Sequence, residues 1–178
     1  MRAKCLSAWL LAAALGGCAP PMPLSRFAAQ GPEFDPIRFF TGHTRSWGVM
    51  EDRGGAPVGR VMTDCLGETD ADGTLRMVQR LTLEDGTVQT RVWRMRRVAP
   101  HRFEATANDM LGTAQGEASG RAFHWRWVLA TDPGHPLKDV TMRQWMYLMD
   151  DGAMVNRTTI SKLGVILEEV TEQFEHAP

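Results

Sequence analysis

The sequence predicts an all-β protein, a single antiparallel meander closed into a barrel of about eight to ten strands. Turn dipeptides recur at intervals of 13 to 18 residues over 54–86 and again over 133–152, as hairpin turns do in a meander. They are Gly54-Gly55, Asp72-Gly73, Asp85-Gly86, Pro133-Gly134 and Asp151-Gly152. The runs between them alternate apolar and polar residues, as half-buried strands do. Because no helical half accompanies these runs, closure into a barrel is the simplest way to remove exposed strand edges.

The alternation assigns an inner and an outer face to three strands. The inner face of the run 74–84 has Leu75, Met77, Leu81 and Leu83. The inner face of 122–130 has Phe123, Trp125, Trp127 and Leu129. In 139–149, Val140, Met142, Met146 and Leu148 oppose Thr141, Arg143, Trp145 and Tyr147. Side chains with this period-two pattern point alternately into and out of a curled sheet.

The two ends of the predicted barrel are less regular. Residues 34–40 predict one short helical turn, with Asp35 as its cap and Pro36 in its first position. The run 160–174 has apolar residues at both helical and strand spacing. A strand over 165–174 is favoured, because Gly164 interrupts the helical pattern and Val170 and Thr171 are β-branched.

Composition excludes several classes of protein. The 178 residues suit one domain with one core. The chain has 20 basic and 21 acidic residues, a net charge of -1, which argues against nucleic-acid binding. Its three cysteines are too few for a disulfide scaffold. Cys65 is the only cysteine beyond residue 18, and it is interpreted as a packing residue and not as a nucleophile.

The N-terminus resembles a bacterial lipoprotein signal peptide with a lipobox. Arg2 and Lys4 precede an apolar run over 6–15, and the sequence Leu15-Gly16-Gly17-Cys18 follows. The alternatives are an ordinary secretory signal and a buried apolar helix; the prolines at 20, 21 and 23 argue against both, because they form a stiff spacer. The resemblance implies a signal peptide over 1–17, an acylated Cys18 with a linker over 18–36, and a barrel domain over 37–178. Ala19, in place of Asp, implies export to the outer membrane, facing the periplasm.

Motifs in the body of the chain resemble two related groups. Phe39-Phe40-x-Gly42 followed by Trp47-Gly48 resembles the start of a lipocalin-type barrel. Over nearly the whole mature chain, the sequence is similar to an uncharacterised family of proteobacterial lipoproteins with a predicted lipocalin-like barrel. The shared segments include Leu81-x-Leu83-x-Asp85-Gly86, Arg91-Val92-Trp93, Asp109-x-x-Gly112-x-Ala114-x-Gly116, Trp145-Met146-Tyr147-Leu148 and Asn156-Arg157. The chain departs from this pattern at Arg143-Gln144, where acidic residues are expected. The resemblance implies a fold and a compartment but no reaction.

The candidate ligand-binding residues are aromatic and basic. They are Trp93, Trp125, Trp127, Trp145, Tyr147, Arg91 and Arg143. Apolar pockets with few polar anchors bind small molecules, and a guanidinium beside aromatic rings suits a carboxylate or phosphate head group. The alternatives are that the tryptophans form a filled core and that the arginines lie on a solvated outer face.

A second candidate group is polar. Asp109, Asn156 and Lys162 would form a cluster at the barrel mouth, or Asp109 and Asn156 would simply cap turns. The five histidines lack the spacing of a metal site, so no metal and no cofactor is expected. The sequence also lacks a nucleophile elbow and a phosphate loop, so an enzyme is less favoured than a binding protein.

These observations favour a membrane-anchored carrier. The leading hypothesis is an outer-membrane lipoprotein, attached through acylated Cys18, that binds a small apolar or amphipathic, lipid-like ligand. The first alternative is a structural or assembly lipoprotein that binds an envelope protein. The second is a small barrel enzyme that acts on a lipid. The ligand hypothesis rests on analogy of fold, because fold alone does not determine function.

Overall fold

Ten antiparallel strands close into one barrel in the computed structural model, which describes residues 22–132 and 138–178. Each strand pairs with the next along the chain, and the last pairs with the first. The strands are β1 (Gly42–Asp52), β2 (Pro57–Thr69), β3 (Leu75–Leu83), β4 (Val88–Ala99), β5 (Arg102–Ala107), β6 (Met110–Ser119), β7 (Ala122–Leu129), β8 (Val140–Leu148), β9 (Met154–Lys162) and β10 (Val165–His176). The predicted fold class is confirmed, and the up-and-down order is consistent with a lipocalin-like barrel.

Four of the predicted turns join consecutive strands. Gly55, Gly73, Gly86 and Gly152 have φ angles of 81°, 82°, 83° and 86°. Only glycine adopts this left-handed backbone without a steric penalty, which is why these positions punctuate the meander. The fifth predicted turn, Pro133-Gly134, lies outside the described residues.

The last two strands close the barrel. The run 160–174, whose apolar spacing fits both a helix and a strand, forms the end of β9 and most of β10. The prediction of a strand over 165–174 is confirmed. They are joined at Leu163-Gly164, where both residues have a positive φ. β10 then pairs with β1 from Thr44↔His176 to Asp52↔Glu168. This pairing buries the edges of the first and last strands, which would otherwise be exposed.

A short helix closes one end of the barrel. α1 (Pro36–Phe40) starts as predicted, since the Asp35 carboxylate accepts hydrogen bonds from the backbone N–H groups of Ile37 and Arg38. Phe39 and Phe40 are buried with their rings 5.1 Å apart, and Phe40 packs edge-on against Phe174 of β10. We call this the closed end. The β1–β2, β3–β4 and β9–β10 turns lie at the opposite end, which we call the open end.

Residues 24–30 lie on the outside of the barrel. A 3-10 helix over Leu24–Phe27 contacts β6 and β7. The Phe27 ring packs against Trp145 and Tyr147, with ring centroids 6.4 and 5.7 Å apart. The Tyr147 hydroxyl donates a hydrogen bond to the side chain of Gln30. Residues 1–17 and Cys18 lie outside the described residues, so the boundaries of signal peptide, linker and barrel domain stay predictions. Among the described helices, none is long and apolar enough to cross a membrane.

Candidate ligand-binding cavity

The half of the barrel interior next to α1 is filled with side chains. Phe34, Phe103 and Phe123 are at most 1% exposed. The Phe123 ring lies 6.1 Å from that of Phe34 and 5.6 Å from that of Phe103. Gly116 makes room for it, because a Cβ at this position would come within 2.4 Å of the Phe123 ring. This half is therefore a close-packed core.

The other half of the interior contains a cavity of about 200 Å3. We call it the barrel cavity. Its lining comes from the strand segments nearest the open end: Met50, Val61, Gln79, Leu81, Leu83, Gln89, Arg91, Trp127, Leu129, Met142, Gln144, Thr158, Ile160, Val170 and Glu172. Leu83 and Gln89, beside the β3–β4 turn, are partly or fully exposed to solvent. The cavity thus has an apolar wall, a few polar groups and access from the open end, which are the features of small-molecule sites.

One wall of the cavity is a guanidinium held between aromatic rings and a carboxylate. Arg91 is 6% exposed, and its Cζ lies 4.6 Å from the Trp127 ring and 5.5 Å from the Trp93 ring. Its Nε donates to both carboxylate oxygens of Asp109, at 2.7 and 2.8 Å. Cation–π contact and the ion pair together fix the guanidinium and compensate its charge.

A hydrogen-bonded amide joins the tryptophans to the base of the cavity. The Gln144 carbonyl accepts hydrogen bonds from the indole N–H groups of Trp125 and Trp127, at 2.7 and 2.8 Å. Its amide nitrogen donates to the Thr158 hydroxyl at 3.0 Å. The indole N–H of Trp93 donates a hydrogen bond to a different acceptor, the side-chain carbonyl of Gln79. Buried polar groups of this kind are costly unless they are paired, so these hydrogen bonds fix the rotamers of Trp93, Trp125 and Trp127.

A buried carboxylate ends this network. Glu172 is 8% exposed and accepts hydrogen bonds from the Ser46 and Thr63 hydroxyls, at 2.8 and 3.0 Å, and from the Asn156 amide, at 3.0 Å. The same Asn156 amide donates to Thr158 at 3.2 Å. The Asn156 carbonyl oxygen is buried and has no hydrogen-bond partner. The network, which reaches the cavity through Gln144, Thr158 and Glu172, therefore contains an acceptor that lacks a donor.

The predicted aromatic and basic residues separate into two groups. Trp93, Trp125, Trp127 and Arg91 lie inside the barrel, where Trp127 and Arg91 line the cavity. Arg143, Trp145 and Tyr147 lie on the outer face, because Met142, Gln144 and Met146 take the inward positions of β8. Trp145 and Tyr147 are contacts of the N-terminal segment and do not line the cavity.

The predicted polar group does not lie together. Asp109 is the partner of Arg91, and Asn156 belongs to the Glu172 network. Lys162 lies at the end of β9, beyond the cavity lining. Asn156 is a strand residue and does not cap a turn.

Cys65, the one cysteine among the described residues, is inaccessible to solvent. Cys65 is fully buried, and burial raises the pKa of its thiol to about 12. A thiol with this pKa is protonated at neutral pH and is a poor nucleophile, which agrees with its interpretation as a packing residue. Across residues 22–132 and 138–178, no group of three His, Cys, Asp or Glu side chains has the arrangement of a metal site.

Sequence reasoning missed Glu172 and Gln144. Both lie at inward positions between apolar neighbours, Glu172 between Val170 and Phe174 and Gln144 between Met142 and Met146. A polar residue at a position where the alternation of the strand points the side chain inward is the signal that could have identified them.

Comparison with known proteins agrees with this fold. The model of a family described as "Protein of unknown function (DUF3833)" matches residues 12–176. No sequence among proteins with curated descriptions matches this chain. The chain is similar in structure to the S-type phycobiliprotein lyase CPES from Guillardia theta, with a TM-score of 0.60 and 8% sequence identity. The similarity covers 80% of this chain and 90% of that chain. At this identity it shows a shared fold and no more.

Proposed function

We propose, from the premise that the chain belongs to the DUF3833 family, that its barrel binds one small apolar or amphipathic molecule in the barrel cavity. The observation that carries the proposal is the division of the interior. One half is packed solid by Phe34, Phe103 and Phe123, while the other keeps about 200 Å3 of space beside fixed polar groups. Unfilled space weakens a core, so a cavity beside polar groups held in place by hydrogen bonds suits a binding site.

The size of the cavity limits the ligand. Typical sites for drug-sized molecules have volumes of about 300–1,000 Å3. The barrel cavity is smaller, so it suits a molecule with a single short chain or one end of a longer chain that projects through the open end. The lipid-like ligand expected from the sequence is narrowed accordingly, since a lipid with two chains would not fit inside.

Filling the cavity is expected to abolish binding without unfolding the protein. The variant Leu81→Trp/Ile160→Trp places two indoles in the cavity from opposite walls. The control, Thr82→Trp/Ser161→Trp, carries the same substitutions on adjacent residues, which face outward on the same strands. Titration of n-octylamine, n-octanol and n-octanoate, followed by Trp fluorescence and native mass spectrometry, measures binding. The intrinsic reporter is Trp127, which lines the cavity.

The expected result is saturable binding of at least one probe by the wild type and the control, and a loss of about tenfold or more in affinity in the filled variant. Equal binding by the filled variant would refute the cavity as the site. No binding of any probe would favour the alternative of a structural lipoprotein. Recovery of each probe unchanged distinguishes a carrier from an enzyme.

We also propose that acylated Cys18 attaches the protein to the outer membrane. The support is the lipobox Leu15-Gly16-Gly17-Cys18 and the position of the 3-10 helix that follows it along the chain. Cys18 precedes Met22 by four residues, which reach at most about 14 Å. The 3-10 helix that follows lies near the β6–β7 turn, at the closed end, since a Cβ on Gly120 would meet the Phe27 carbonyl. The closed end would then face the membrane and the open end the periplasm.

Mass spectrometry of the protein from a Gram-negative host tests the anchor. We expect a mature chain that starts at Cys18 and carries acyl chains, and a Cys18→Ser variant without them that leaves the membrane fraction. A protein that keeps Met1, or a membrane fraction unaffected by Cys18→Ser, would contradict this proposal.

A further inference from the structure

We infer that the barrel cavity selects ligands whose polar end donates hydrogen bonds to Glu172, a protonated amine above all and an alcohol next. The inference rests on the proposed function and assigns the chemistry of the ligand's polar end. It is the opposite of what the arginines in the sequence suggest, which is an anionic head group.

The charges around the cavity favour a donor. Among the described residues that line it, Arg91 and Glu172 are the only charged ones. The Asp109 carboxylate, 2.7 Å from the Arg91 Nε, already compensates the guanidinium. Glu172 is in no ion pair within the described part of the chain, and its three donors are uncharged hydroxyl and amide groups. The uncompensated charge of the cavity is therefore negative.

The count of donors and acceptors leads to the same conclusion. A carboxylate offers about four acceptor positions, and three protein donors reach Glu172. An unfilled acceptor position on a buried carboxylate is unfavourable. A ligand N–H or O–H group would fill the remaining acceptor position of Glu172, whereas a ligand carboxylate brings only more acceptors.

The position of Glu172 is built into the barrel. Gly48 of β1 lies directly opposite Glu172 in the register between β1 and β10. A Cβ on Gly48 would come within 2.5 Å of the Glu172 Cγ, so the carboxylate stem occupies the space that a side chain would need. Val170, two residues earlier on β10, lines the cavity on the same face. The carboxylate thus lies at the inner end of the cavity, beyond the apolar residues near the opening. A ligand chain that enters from the open end would bring its polar end to this position.

Binding of three probes with the same chain length tests the inference. In the full mature chain, n-octylamine is expected to bind about tenfold or more tightly than n-octanoate, with n-octanol between them, because hydrogen bonds to a buried charge are strong. In Glu172→Gln, the amine is expected to lose most of this advantage while n-octanol changes little. The amide side chain keeps the shape of Glu172, so the fold is retained, and thermal unfolding checks this. The matched control is Glu175→Gln, an exposed residue of the same strand, which leaves all three affinities unchanged.

A second variant keeps the charge and moves it. Glu172→Asp shortens the side chain by one methylene group and so draws the carboxylate away from the cavity. It is expected to reduce the preference for n-octylamine over n-octanoate, and it provides the test if Glu172→Gln does not fold. If the wild type prefers n-octanoate, or if both variants keep the wild-type preference for n-octylamine, this inference is overturned. The proposal that the cavity binds a small molecule would still stand. A wild-type protein that binds none of the probes would overturn the proposed function with it.

Discussion

Gly67→Ala is expected to lower the free energy of unfolding by about 3 kcal/mol, the upper end of the usual cost of overpacking. A Cβ on Gly67 would lie 1.8 Å from the Phe40 carbonyl oxygen and 2.9 Å from its carbon. These are backbone atoms at the end of α1, so no side chain can rotate to relieve the clash. The helix would have to move away from β2, which would loosen the buried ring of Phe40 at the closed end.

A second glycine of the same strand provides the control for this prediction. Gly59 lies near the start of β2, and a Cβ there would approach only the flexible side chain of Glu84, at 3.6 Å. Gly59→Ala is therefore expected to change stability by less than about 1 kcal/mol, whereas Gly67→Ala lowers the melting temperature by about 6–12 °C. Urea denaturation followed by Trp fluorescence measures both. Similar stabilities of the two variants would show that α1 does not close the barrel as described.

The strand pattern could be predicted from the sequence because it is local. Period-two alternation along 122–130 and 139–149 placed Trp125 and Trp127 on one strand face, and Met142 and Trp145 on opposite faces, and the structure agrees. The choice of Trp145 as a ligand-binding residue was wrong, because its outward side chain contacts Phe27. Gly73 and Gly86 identified hairpins because these turns need a residue with a positive φ, a conformation that glycine adopts far more easily than other residues. Each of these features depends on a few consecutive residues.

The candidate site depends on contacts between distant residues. Glu172 accepts hydrogen bonds from Ser46, 126 residues away, and from Thr63, 109 residues away. The strand pattern could have placed Glu172 inside, between Val170 and Phe174, but its hydrogen-bond partner Ser46 becomes visible only when β10 pairs with β1. Arg91 shows the same limit. Its place beside Trp93 suggested an anion site, whereas Asp109, from the β5–β6 turn, already neutralises it.

The division of the interior into a packed half and a cavity suggests that stability and binding can be changed separately. The packed half holds the rings around Phe123, and the cavity holds Arg91, Gln144 and Glu172. The hydrogen bonds of Gln144 to Trp125 and Trp127 connect the two halves. Because Phe34, Phe103 and Phe123 do not line the cavity, a substitution among them should reduce the free energy of unfolding and leave the shape of the cavity unchanged.

Phe123→Ala is the substitution that tests this separation, and we expect it to lower the free energy of unfolding by about 4 kcal/mol. Phe123 is fully buried, and its ring packs against Phe34, Phe103 and Trp125. Removal of the ring leaves a space that these neighbours, fixed in the closed barrel, can fill only in part. The exposed Met62, on the outer face of β2, is the site of the control variant Met62→Ala, which should change stability by less than about 1 kcal/mol.

Ligand binding decides whether the two halves are independent. At a temperature where Phe123→Ala is still folded, its affinity for the bound eight-carbon probe should stay within about threefold of the wild type, a change of less than about 1 kcal/mol. The cavity-filling variant Leu81→Trp/Ile160→Trp should show the opposite pattern, with binding lost and the fold retained. If Phe123→Ala loses binding in proportion to its stability, the barrel behaves as one cooperative core, and the cavity is not a separate binding site.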